Sequence, residues 1–127
     1  MRARRTAGLL AVALAACSSA SASHDAALPS YTPSDPPAYP AARLVGVLSL
    51  RDRCAYLDNG DTLLVWYPGT HLVTKHGRTT VVSPSGDHIG TIGETVALGG
   101  GYVGKDAPML AGTHTACASH ALAVVAP

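Results

Sequence analysis

From Arg43 onward the chain is a succession of short apolar runs, each cut off by Gly, Pro, Asn, Asp or Ser, with no stretch periodic enough for a helix. That pattern excludes a helical bundle and predicts an all-β domain. The run Leu44–Leu50 places Leu44, Gly46, Leu48 and Leu50 on one face and Val45, Val47 and Ser49 on the other, so this strand is expected to be buried. Cys54–Leu57 and Thr62–Tyr67 flank Asp58-Asn59-Gly60-Asp61, and Asn-Gly favours a tight hairpin because both residues tolerate positive φ. Thr79–Val82 and His88–Ile92 flank a second turn, Ser83-Pro84-Ser85-Gly86-Asp87. Glu94–Leu98 and His120–Val125 complete six or seven short strands, which predict a small OB-like or SH3-like barrel, closed or partly open.

The first residues read differently. Met1–Arg5 is cationic and Thr6–Ala16 is uncharged and apolar, too short to span a bilayer, which takes roughly twenty residues. It reads as an export signal. Leu14-Ala15-Ala16-Cys17 resembles the lipobox of bacterial lipoprotein precursors: an aliphatic residue, two small ones and a cysteine. The resemblance covers only the first seventeen residues, and all four positions match. It implies a signal peptide over residues 1–16, a diacylglyceryl thioether on Cys17, and a membrane-anchored protein facing the extracytoplasmic side of the cell envelope. The alternative is ordinary secretory cleavage after Ala22, where Ala20-Ser21-Ala22 fits the small-x-small rule.

Residues 17–42 then form a lipidated N-terminus followed by a Ser/Ala/Pro-rich stretch with five prolines and no apolar periodicity. Such a composition predicts a disordered linker that reaches roughly 25 to 30 Å if coil-like, with Tyr31 and Tyr39 as solvated spacer residues. Residues 43–127 form the barrel domain.

Three cysteines are an odd count for an exported protein. If Cys17 carries lipid, Cys54 and Cys117 remain to pair, as an oxidising compartment favours. That bond would close a loop of about sixty-four residues, worth roughly 4 kcal/mol in the chain-entropy model.

Charge narrows the partners. Removing Arg2, Arg4 and Arg5 with the signal leaves six Lys and Arg against eight Asp and Glu, a net charge near −2. No basic stripe for nucleic acid is present in the sequence.

Candidate chemistry is sparse. His114, Cys117 and His120, with Met109 nearby, form a copper- or zinc-like cluster, but a thiolate ligand cannot also be half of a cystine. Gly99-Gly100-Gly101-Tyr102-Val103-Gly104-Lys105-Asp106 approaches a phosphate-cradling loop yet has Asp where Ser or Thr is needed, and reads as a glycine turn. Asp52, Asp58, Asp61 and Asp87 fall in turns, Ser83, Ser85 and Ser119 in no elbow motif, and His71, His76 and His88 are dispersed. Trp66 and Tyr67, with Tyr56 across the hairpin, are the candidate ligand face, but a sole Trp in a Phe-free chain reads first as core, where its bulk is needed.

The pattern Val47, Leu48, Cys54, Leu57, Leu64-Val65-Trp66-Tyr67-Pro68-Gly69-Thr70, Gly86, Val96-Ala97-Leu98-Gly99-Gly100-Gly101 is similar to small uncharacterised domains of bacterial secreted proteins and lipoproteins. That likeness implies no activity. The resulting expectation is a monomeric, lipid-anchored, non-enzymatic envelope module without cofactor, binding a protein or glycan; the alternative is a metal-handling lipoprotein using His114, Cys117 and His120.

Overall fold

The computed structural model describes residues 24–58, 61–113, 117 and 119–127. Its organising element is strand β2 (Ala42–Arg51), whose ten residues serve two partners. The first half, Ala42–Val47, pairs antiparallel with β8 (Thr95–Val103), and the second half, Leu48–Arg51, pairs antiparallel with β3 (Cys54–Leu57). Handing one strand from one neighbour to the other lets a short sheet curl on itself. β3 pairs antiparallel with β4 (Thr62–Val65), β4 pairs parallel with β9 (Ala121–Val125), and β9 pairs antiparallel with β8. The result is a closed five-stranded barrel in the order β2-β3-β4-β9-β8. The parallel β4–β9 pairing makes it OB-like rather than an up-and-down closure.

A four-stranded antiparallel sheet lies beside the barrel, in the order β1 (His24–Ala27), β5 (His71–Lys75), β6 (Arg78–Val82), β7 (His88–Thr91). Leu72 and Val81 of this sheet join Leu48, Leu57, Leu64, Trp66 and Leu98 of the barrel in one apolar cluster. The two layers therefore share a core. The one helical turn among the described residues is 3-10, over Pro108–Leu110.

The expected all-β barrel is present, with several differences of detail. The β3–β4 pairing is antiparallel as the hairpin signal predicts, while Asn59 and Gly60 themselves lie outside the described residues. β2 is buried on one face only: Leu44 and Leu48 point inward, whereas Val45 and Val47 are exposed. Eight strands, not six or seven, follow residue 41, because β5 escapes the alternation rule. The Gly99–Gly101 stretch is no turn but runs inside β8. A Cβ on Gly100, at φ 146°, would collide with the Val124 carbonyl oxygen, and one on Gly101 would collide with Pro40 Cβ. These glycines let neighbouring chain lie against the strand.

The structure departs furthest from the disordered linker expected over residues 17–42. Its described part, from residue 24, is built into the fold. His24–Ala27 is the first strand of the flanking sheet, Leu28 is buried, and Tyr31, 2% exposed, is among the most buried large side chains. Trp66 N–H donates to Pro29 C=O at 2.9 Å, Tyr31 N–H donates to Trp66 C=O at 3.1 Å, and Thr32 N–H donates to Met109 C=O at 2.8 Å. The physical reason is bulk: a chain without Phe recruits Leu28 and Tyr31 to finish its core, and extended Pro-flanked backbone still offers carbonyls and N–H groups to a strand. The folded unit thus begins at or before His24, not at Arg43.

Candidate functional site

Alternation along β4 decides where the aromatic residues go. Leu64 points into the barrel, and Trp66, two residues on, follows it and is 1% exposed. Leu63 and Val65 point outward under cover of other segments. Tyr67 is half-buried and meets the Tyr31 ring edge-on at 6.3 Å. The chain then turns at Pro68-Gly69, where Thr70 N–H donates to Tyr67 C=O at 3.1 Å and Gly69 takes φ 89°. A Cβ on Gly69 would lie 3.0 Å from Pro84 Cγ, so this turn rests directly on the Ser83–Asp87 turn.

The Ser83–Asp87 turn is cross-braced. Ser83 N–H donates to Asp87 C=O at 2.9 Å, Asp87 N–H donates to Ser83 Oγ at 3.0 Å, and Ser85 Oγ donates to Asp87 Oδ2 at 3.1 Å. Between the two turns, Ala97–Gly99 of β8 and the residues around Val125 lies a cleft of about 500 Å³. Trp66 and Tyr67 form part of its lining, together with Pro84, Ile89 and Leu98. Asp87 is the one lining residue with a side chain charged at neutral pH among the described residues. A cleft of this size and apolar character is what small-molecule sites look like. Trp66 adds a specific feature: its Nε1 is buried with no hydrogen-bond partner among the described residues.

Beside the cleft, Tyr31, Tyr39 and Tyr67 form an edge-to-face cluster. Burial, then the neighbouring Tyr39 and Tyr67, pushes the Tyr31 phenol above the ordinary tyrosine range. Tyr31 is thus a neutral hydrogen-bond donor, and its Oη donates to Val125 C=O at 2.8 Å.

The three aromatics expected to share a ligand face do not do so. Trp66 and Tyr67 meet at the cleft, but Tyr56 points the other way, buried with Cys54 and Leu63 and capped by the Arg51 guanidinium 5.4 Å from its ring centre. The pairing register explains it: Tyr56 opposes Leu63 and shares its outward face, while Trp66 follows Leu64 inward. The residues the sequence reading missed as site-forming are Thr70, Ser83, Ser85 and Asp87; the Ser-Pro-Ser-Gly-Asp run signals a turn, and nothing in it signals what the turn would face.

Cys54 and Cys117 are bonded, with Cα atoms 5.8 Å apart and a sequence separation of 63. Bonded sulfur is not a thiolate ligand, which removes the centre of the His114, Cys117, His120 metal set. His120 is exposed, His114 lies outside the described residues, and Met109 packs in the apolar cluster around Tyr31. No group of three or more potential metal ligands occurs among the described residues. Gly99–Val103 is strand, so the glycine-rich stretch presents no phosphate cradle. Cys17 and residues 1–16, which the sequence suggests are an export signal, lie outside the described residues. No helix among them is long and apolar enough to cross a membrane. No protein-family model, curated protein or solved structure matches the chain.

Proposed function

We propose that this chain is the precursor of a lipid-anchored, non-enzymatic binding module of the bacterial cell envelope, held to a membrane through Cys17. The observation that carries the reading is the Cys54–Cys117 bond. It pairs two of three cysteines, as an oxidising compartment allows, and leaves Cys17, at the lipobox-like position, as the odd one. Two or three acyl chains on that residue would hold the protein stably, where one is marginal. Binding is assigned to the cleft beside Trp66 and Tyr67 because a rigid, mainly apolar concavity with a few convergent polar groups is the usual form of a ligand site.

The folded unit alters the geometry of anchoring. Six residues separate Cys17 from β1, a reach of at most about 24 Å at full extension. The module is accordingly a membrane-proximal body, not a domain on a long stalk.

Metabolic labelling with an alkyne analogue of palmitate in a bacterial host tests the anchor. The expected result is label on the wild type, none on Cys17→Ser, and a shift of that variant from the membrane to the soluble fraction. An unlabelled wild type with Ser23 as its mature first residue overturns the reading in favour of plain secretion.

A further inference from the structure

The four-stranded sheet has two unlike ends, and the chain enters at one of them. β5 runs from His71 to Lys75, reverses at His76-Gly77, and returns as β6 from Arg78 to Val82. His76 and Gly77 both take positive φ, 50° and 75°, as the tightest hairpin turns require. This tip projects into open space: a Cβ on Gly77 would meet nothing within 4 Å, and Lys75, His76 and Arg78 are all exposed.

Register sets the entry of the chain beside that tip. β1 pairs with β5 from His24 opposite Thr74 to Ala27 opposite His71, so the strand starts at the tip and leads away from it. The cleft occupies the other end of the sheet: Thr70 precedes β5 there, and the 83–87 turn follows β6, about 17 Å along the strand from Arg78. A lipid on Cys17, at most about 24 Å from β1, therefore holds the tip end nearer the bilayer than the cleft end. The tether favours this pose without enforcing it, because full extension would also let the far end touch down.

Charge decides between the two poses. The tip carries Lys75 and Arg78. Arg78 is paired with Glu94 at 3.0 Å, an exposed contact that contributes little and exchanges readily, and Lys75 stands outside that pair. The far turn carries Asp87, and no Lys or Arg lines the cleft among the described residues. Each Lys or Arg close to an anionic leaflet favours that surface by about fivefold, whereas a carboxylate is repelled.

We infer that the anchored module rests with the β5–β6 tip on the headgroups of an anionic phospholipid bilayer and its cleft turned away from the membrane. This rests on reading Cys17 as lipid-bearing. A ligand of the cleft then arrives from the aqueous side, not from the bilayer.

The chain has two lysines, Lys75 at the tip and the exposed Lys105 just after β8, so amine acetylation reads the pose directly. The lipidated protein from the bacterial host is added to preformed vesicles of phosphatidylcholine, with or without about one quarter phosphatidylglycerol. A sulfonated N-hydroxysuccinimide acetate then labels both lysines, and mass spectrometry follows each rate. The Lys75 rate relative to Lys105 is expected to fall at least about fivefold on the anionic vesicles. Arg78→Gln should weaken that protection by about twofold or more. Sodium chloride at about 1 M, where the Debye length is about 3 Å, should abolish it. A rate ratio that is the same on both vesicles, protection of Lys105 in place of Lys75, or indifference to salt or to Arg78→Gln overturns the inference. The palmitate experiment on the same material separates the two claims: label on Cys17 with an unchanged lysine ratio sinks the pose alone, whereas an unlabelled wild type sinks the anchor and the pose with it.

Discussion

The Tyr31 phenol donates to the Val125 carbonyl across ninety-four positions of sequence, at 2.8 Å. This bond ties the segment ahead of the barrel to the barrel's last strand, next to the cleft that Val125 helps to line. One tyrosine thereby joins core completion to the shape of the candidate site.

Tyr31→Phe keeps the ring and removes the bond. At pH 7 the expected loss is about 1 to 2 kcal/mol, the worth of a hydrogen bond to an otherwise uncompensated carbonyl. The pH dependence carries a second signature. Because the folded-state phenol titrates above the ordinary value of about 10, the unfolded chain gives up this proton first as pH rises, and stability that is complete below pH 10 is lost above it. The variant should show a shallower decline between about pH 10 and 11 in urea unfolding. Parallel declines in the two proteins would contradict the burial of this phenol.

The Cys54–Cys117 bond braces the crossover between β8 and β9 against β3. Reduction, or Cys54→Ser with Cys117→Ser, should lower the unfolding free energy by about 2 to 4 kcal/mol. Cys17→Ser should leave it unchanged within about 0.5 kcal/mol. Denaturant titrations with and without a phosphine reductant make the comparison. Equal stability of oxidised and reduced protein would mean that the loop closure constrains little.

What the sequence made legible follows from local physics. Turn clusters and apolar alternation located β2, β3, β4, β6, β7 and β9 to within a few residues, and an odd cysteine count paired Cys54 with Cys117. The rest depended on long-range placement. His71–Lys75 carries Leu72 on its buried face but His71, Thr74 and Lys75 around it, so its strand character comes from pairing with β1 and β6. Leu28 and Tyr31 sit among prolines and serines whose average composition hides them, and only the demand of a Phe-free core pulls them in. The cleft was illegible for the same reason: Trp66 and Ser83–Asp87 meet through a turn-on-turn contact that no spacing encodes.

The glycines of β8 offer a matched comparison. Gly100→Ala would drive a methyl into the Val124 carbonyl oxygen, a backbone atom that no rotamer change can move, at a φ that L-residues rarely adopt. The expected cost is about 2 to 4 kcal/mol, or failure to fold. Gly99→Ala, one residue away, meets only Ala126 Cβ at 3.9 Å and should be neutral or slightly stabilising, by up to about 1 kcal/mol. Thermal melts of the pair separate a steric requirement from a general preference for flexibility.

Leu28 tests the boundary of the folded unit. Were residues up to Ala42 a solvated spacer, Leu28→Ala would change stability by no more than about 0.5 kcal/mol. Buried against the cluster that includes Leu72, Val81 and Trp66, it should instead cost about 2 to 4 kcal/mol, for the lost transfer energy plus whatever cavity its neighbours fail to close. For a domain of this size, that lowers the melting temperature by roughly 8 to 30 °C. Ser34→Ala, in the exposed part of the same segment, removes two solvent-exposed bonds, one donated to Pro36 C=O and one accepted from Ala38 N–H, and serves as the local control, with a change below about 1 kcal/mol. A Leu28→Ala melt that overlays the Ser34→Ala melt would return the segment to the role of a tether; a clear separation makes Leu28 part of the core that carries Trp66 to the cleft.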